Sequence, residues 1–230
     1  MSKFLENCPK FYYINLDKSP ERKNRMESQF KENNVLFERI DAIDGNNLKN
    51  SNRRLSNSEL GCTLSHLKAI EKFYESGDNL GIICEDDLSF EFLPYWKTPI
   101  QSLIQQAPKD WNIIMLGYII SPENIKYLEM FNGYYQPFNQ SIHSSTLCYL
   151  INRNGAWNIL KNHTLKNPNL DSFYKNRPVS DIFIFESSKT YCYKFCLFTF
   201  PDDNTSLIHP DHISFHMKTK EAAKKLLINN

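Results

Sequence analysis

The chain has 230 residues, enough for one large domain with a core of its own. Hydrophobic residues make up 41% and charged residues 23%, an ordinary globular balance, and the formal net charge of +1 excludes a general nucleic-acid binder. No apolar core precedes Pro9, and the most apolar run, residues 112–120, falls well short of the ~20 residues of a membrane span. The expectation is therefore a cytoplasmic protein without signal peptide or transmembrane segment.

Residues 11–16 are apolar and aromatic without helical spacing, which predicts a short buried strand. Ser19-Pro20-Glu21 then reads as a helix start, with a capping hydroxyl, a first-turn proline and an acid at the positive dipole end. That helix runs to about residue 33, a second strand covers 35–40, and Asp44-Gly45-Asn46-Asn47 is a turn. Leu60, Leu64, Leu67, Ile70 and Phe73 recur at helical spacing over residues 59–76, and Gly77 stops the helix. Residues 80–84 form a continuous apolar strand, residues 88–92 resume extended structure, and a helix follows over 94–106.

A fourth strand is expected at 111–118 and a fifth at 146–151, the latter followed by a helix to about residue 161. Residues 179–187 are apolar without a decisive period, and 190–200 alternate as a strand. Residues 121–141, with Pro122, Gly133, Pro137 and several aromatics, read as a mobile excursion. The tail, residues 219–228, is a short basic amphipathic helix. Strands separated by helices imply an α/β fold with a mostly parallel central sheet flanked by helices. The expected division is a main domain over 1–217 and an appended helix over 218–230. Six scattered cysteines read as buried free thiols; Cys192 and Cys196 would make half a zinc site, but no matching second pair exists.

The chemistry concentrates at Glu85-Asp86-Asp87, three acids directly after a buried strand. Like charges there repel, and a divalent cation relieves the conflict. Carboxylates are hard oxygen ligands suited to manganese or magnesium. The carboxyl end of an open α/β sheet is also where ligands bind. In extended backbone Glu85 and Asp87 share one side and Asp86 points to the other. Glu85 and Asp87 are therefore the metal candidates, with Glu85 also able to contact the ligand, and Asp86 is left for another part in catalysis. A solvated acidic turn is the bland alternative.

Five segments together resemble glycosyltransferase family 25, which includes lipooligosaccharide and collagen hydroxylysine galactosyltransferases. They are Tyr13-Ile14-Asn15-Leu16-Asp17-Lys18-Ser19-Pro20-Glu21-Arg22, Ile43-Asp44-Gly45, the helix segment beginning Gly61-Cys62-Thr63-Leu64-Ser65-His66, the acidic triplet, and the stretch from Cys148 to Ala156. The resemblance spans about residues 11–160. It implies a GT-A-like, single Rossmann-like domain, a manganese or magnesium ion, and a UDP-hexose donor, galactose before glucose. It also implies inversion with a carboxylate base, on a glycan, glycolipid or hydroxylysine acceptor.

By the same resemblance Asn15, Asp17, Arg22, Ser65, His66 and Lys68 join Glu85 in holding the donor. The alternative for Asp17 and Arg22 is a surface ion pair. Asp181 joins Asp86 as the catalytic pair, although the family's Pro-Val-Asp is here Pro178-Val179-Ser180, with the acid one place later. A third metal ligand is expected among Asp202, Asp203, His209, His212 and His216, with Asp203, His209 and His212 carried forward. The basic tail could touch a membrane surface or simply pack. Two other functions compete: an inactive nucleotide-sugar-binding partner of another transferase, favoured by the shifted acid, and a metal phosphohydrolase, for which no paired-histidine motif is present.

Overall fold

The computed structural model describes residues 2–49, 54–163, 178–202 and 213–229. Strand β1 (Phe11–Asn15) is buried along its whole length and sits between β2 (Phe37–Asp41) and β3 (Leu80–Glu85), parallel to both. Helix α1 (Pro20–Glu32) covers one face of this trio and α2 (Asn57–Ser76) the other. Alternation along β1 decides which side chain meets which helix. Phe11 and Tyr13 pack at a tilt against Phe30 of α1, whereas Tyr12 meets Phe73 of α2.

Two helix starts behave differently from their sequence signals. Ser19 makes no side-chain cap for α1. Ser56 instead forms a reciprocal capping box with Glu59, which starts α2 two residues before the expected point, and Gly77 ends it in the left-handed conformation at φ 82°.

The rest of the sheet is β4 (Ile113–Ile119), β5 (Tyr135–Pro137), β6 (Ser144–Asn152) and β7 (Thr190–Tyr193), in the order β2-β1-β3-β6-β4-β7-β5. β6 is antiparallel to both β3 and β4, and β5 is antiparallel to β7. Five of the seven strands therefore point one way, the mostly parallel α/β architecture expected. Because β6 is inverted, its first residues, Ser144 to Thr146, arrive at the same edge of the sheet where β1 and β3 end.

Several expectations are corrected. Residues 88–92 supply only an isolated bridge between Ser89 and Thr199, and the helix expected over 94–106 shrinks to α3 (Ile100–Gln106) after a single 3-10 turn. The excursion over 121–141 carries α4 (Ile125–Met130) and the edge strand β5, where Pro137 is tolerated. After α5 (Arg153–Leu160), the ambiguous run over 179–187 is helical, as α6 (Ser180–Glu186). The strand expected over 190–200 stops at Tyr193. The terminal helix α7 (Ile213–Asn229) runs through the expected boundary at 217/218 and buries Ala223, Leu226 and Leu227 in the common core. Its Lys220 is buried against Glu91 and Asp202. A helix face spent on the core cannot also lie in a membrane surface, so the membrane contact is withdrawn. Among the described residues no helix is long and apolar enough to cross a membrane. All six cysteines are free, and Cys84, Cys148, Cys192 and Cys196 are buried.

Candidate active site

A cleft of about 250 Å³ opens at the carboxyl edge of β1 and β3. Its walls come from the ends of both strands, the loop after β2 and the first half of α2. Lys18, Arg22, Asp44, Cys62, His66, Glu85 and Asp87 all face it.

Two backbone contacts explain why the Ile43-Asp44-Gly45 and Gly61-Cys62 segments occur together. A Cβ on Gly61 would stand 2.7 Å from the Ile43 carbonyl oxygen and 2.9 Å from the Gly45 nitrogen. Only a bare backbone lets α2 come this close to the loop. Ser65 completes the seam: its hydroxyl donates to the Gly61 carbonyl at 2.6 Å and accepts the Ile43 N–H at 2.8 Å. Ser65 is buried and saturated, so it shapes the cleft wall rather than offering its hydroxyl to a ligand. Lys68 likewise donates to the Asp41 carbonyl at 2.8 Å, at the end of β2.

β3 ends at Glu85, so Asp86 and Asp87 lie in the turn after it and the alternation expected of extended backbone stops there. Asp86 turns toward α1, and both its oxygens are engaged. Oδ1 accepts from Arg22 at 2.8 Å and Oδ2 from the Asn15 amide at 2.7 Å. Asn15 is buried and fully used: its amide also donates to the Ser19 carbonyl, and its oxygen accepts from Arg39. Neither residue presents a spare group to a ligand. Asp17 pairs with Arg39 at 2.6 Å and is largely exposed, so the Asp17–Arg22 pair considered from sequence does not form. Arg22 bridges Asp86 and, at 3.9 Å, Asp87. Burial alone would make Arg22 easier to deprotonate, but the Asp87 and Asp86 charges outweigh it and raise its pKa.

Glu85 turns the other way, toward α2 and β6. Its Oε1 accepts from the Thr146 hydroxyl at 2.7 Å and lies 3.4 Å from His66 Nε2. Burial pushes the Glu85 carboxyl up. His66 beside it, the Thr146 hydrogen bond and the Arg22 charge pull it down further, so it sits below the ordinary carboxylate value. His66 is fully buried, with Nδ1 3.2 Å from the Tyr149 hydroxyl. Cys62, one turn earlier on α2, lies 3.4 Å from the Ser180 hydroxyl, which is itself 3.1 Å from Thr146.

Asp181 accepts the Ser145 N–H at 3.0 Å and the Ile182 N–H at 2.9 Å. Ser145 holds a left-handed backbone at φ 82°, a strained conformation for a non-glycine residue. The Asp181 carboxylate pins that turn and so helps aim Thr146 at Glu85. Of the third-ligand candidates, Asp202 is taken by Lys220 and His216 packs on Phe200. Asp203, His209 and His212 lie outside the described residues.

Glu85 and Asp87 present hard oxygen donors at one cleft, a set that fits manganese or magnesium. Sequence reasoning passed over Cys62 as a functional side chain and missed Thr146, Tyr149 and Arg39. The last three reach the site through pairings between distant strands, which carry no local signal.

The sequence matches the family described as glycosyltransferase family 25 (LPS biosynthesis protein) over residues 8–174. The chain belongs to glycosyltransferase family 25. Similar proteins include a glycosyltransferase 25 family member of Aedes aegypti, 29% identical over 46% of this chain and 20% of its own length. Procollagen galactosyltransferase 1-B of Xenopus laevis is 29% identical over 74% of this chain and 32% of its own. A probable inactive glycosyltransferase 25 family member 3 of Bos taurus is 25% identical over 67% of this chain and 29% of its own. This family 25 chain thus spans about a third or less of the length of the curated relatives it matches. Among solved structures, a glycosyltransferase involved in the glycosylation of the major capsid of PBCV-1 is similar at 12% identity. It covers 95% of this chain and 98% of that one, with a TM-score of 0.45.

Proposed function

We propose that this family 25 chain is a metal-dependent, GT-A-like glycosyltransferase. It would move a hexose from a UDP-sugar to an acceptor hydroxyl on a glycan, glycolipid or hydroxylysine. Galactose is preferred over glucose because the Xenopus relative is named a galactosyltransferase. The observation that carries the reading is the convergence, on one cleft, of Lys18 and Arg22, Asp44, His66, and the carboxylates of Glu85 and Asp87. Cations and carboxylates facing a common space are what a diphosphate and its counter-ion require.

Glu85 and Asp87 would hold the divalent cation. When bound, that ion offsets the charge growing on the diphosphate leaving group. Lys18 and Arg22 add fixed positive charge at the same wall. Asp17 and Lys68 keep exposed polar atoms for the donor, whereas Asn15, Ser65 and Asp86 act through position rather than contact, since their polar atoms are bonded within the protein. Asp181 acts the same way, by pinning Ser145. His66 sets the orientation and charge of Glu85. We retain inversion as the stereochemical course from the family resemblance.

The test is release of UDP from a panel of UDP-sugars, with manganese and with chelator, in the presence of candidate acceptors. Release that needs manganese and disappears in Asp87→Ala is the expected result. Wild-type turnover in Asp87→Ala would sink the assignment. The second reading, an inactive sugar-nucleotide-binding protein, is favoured by Ser180 standing where the family pattern has an acid and by the Bos taurus relative's name. It predicts donor binding by calorimetry without release from any donor.

A further inference from the structure

Cys62, His66 and Glu85 form a cluster that a carboxylate-only metal site does not need. Cys62 and His66 are one turn apart on α2 and share a face. Glu85 ends β3 opposite them. One ligand atom from each, Sγ, an imidazole nitrogen and a carboxylate oxygen, lies within 4.8 Å of the other two. His66 Nε2 is buried and has no hydrogen-bond partner, although the Glu85 oxygen is 3.4 Å away. A buried polar atom left in this state calls for an explanation.

We propose that Cys62, His66 and Glu85 are a three-ligand site for a thiophilic divalent cation, zinc, with the fourth position open to the cleft. One sulfur, one imidazole nitrogen and one carboxylate oxygen suit zinc far better than manganese or magnesium, which prefer oxygen. Tetrahedral coordination draws the three atoms together by about 1 Å. Cys62 is only half-buried and can supply that movement by turning its side chain.

The surrounding groups support each ligand. The Tyr149 hydroxyl oxygen can accept from Nδ1–H, which leaves the Nε2 lone pair for the metal. Thr146 holds Glu85 from behind. In the metal-free protein the Cys62 S–H donates to the Ser180 hydroxyl oxygen. Coordination sends that proton to solvent and leaves a metal thiolate, toward which Ser180 can turn its O–H. Glu85 belongs to both the zinc set and the oxygen set of the transferase site. Zinc would therefore displace the catalytic cation and suppress transfer. That consequence rests on the proposed function; zinc binding itself does not.

The test is a cobalt titration of the metal-free full chain, followed by zinc. The expected result is about one equivalent bound, with the intense tetrahedral d–d bands and the thiolate-to-cobalt charge-transfer band. Zinc should bleach both and manganese should leave both unchanged. Cys62→Ser, nearly isosteric, should remove the charge-transfer band while keeping the native melt. Glu85→Gln should weaken cobalt about tenfold or more. A weak octahedral spectrum without charge transfer, or a band that survives in Cys62→Ser, overturns the site. Manganese-dependent UDP release alongside such a failure would leave the transferase reading intact. A cobalt thiolate band without transfer from any donor would do the reverse.

Discussion

Asp86→Ala separates a structural acid from a catalytic one. The wild-type carboxylate accepts from Arg22 and from Asn15 in a region where the Asp86 and Arg22 side chains are only 10% and 17% exposed. Removing one partner of a buried ion pair costs about 3–5 kcal/mol, because the other charge stays desolvated. Asp87, 3.9 Å from Arg22, takes up part of that charge. The Asn15 amide, however, also loses an acceptor, at about 1–3 kcal/mol for a buried donor. The charge taken up by Asp87 offsets part of these two costs, and a net loss of about 3 kcal/mol is expected. For a chain of this size that lowers the melting temperature by about 6–12 °C. Asp86→Asn keeps a neutral acceptor and should lose about half as much. Thermal and urea melts of the three proteins, run beside UDP release, supply the assay. If Asp86→Ala melted within about 2 °C of wild type yet lost all turnover, the carboxylate would be part of the chemistry and its structural reading would fail.

Thr146→Val removes only the hydroxyl that steadies Glu85; manganese affinity should fall by about 10–100-fold and turnover should recover at saturating metal. An unchanged manganese titration would show that Thr146 does not support a metal ligand. His143 gives a pH signature remote from the cleft. Its ring is buried against Tyr118 and Phe138, its Nδ1 accepts the Asn139 N–H, and burial pushes its pKa down to about 4. Between that value and the ~6.5 of an unfolded histidine, the unfolded chain binds the extra proton. Stability should therefore fall as pH drops from about 6.5 to about 4, by about 3 kcal/mol from this group, and level off below. His143→Gln, which keeps an acceptor for Asn139, should flatten that limb in urea midpoints taken at several pH values. An identical slope in the variant would remove His143 as the cause.

The main features of the half of the sheet built from β1 to β3 were legible locally. The unbroken apolar runs at β1 and β3, the 3.6-residue period of α2 and its Gly77 stop are properties of neighbouring residues. So is the run of acids that begins where β3 ends. Residues 179–187 resisted reading because a short apolar run suits a buried helix or a strand equally well. The strand expected through residue 200 failed because sheet propensity is realised only where a partner strand lies in register, and beyond Tyr193 the chain keeps only scattered backbone bonds to Tyr134 and Leu116 and the Ser89–Thr199 bridge.

From its residues alone, then, the chain determined its α/β class, the acid triplet at a strand end, and the long helix that carries Cys62 and His66. Tertiary structure decided what the acids and their neighbours do. The inversion of β6 brings Thr146 to Glu85 and Tyr149 to His66, and long-range packing gives Asp86 to Arg22 and Asn15. It turns Asp181 into a clamp on Ser145 and sets Cys62, His66 and Glu85 around one point. Side-chain direction follows from backbone period, which is local. The partner that a side chain finds depends on strand order and on contacts across tens of residues, which no local pattern encodes.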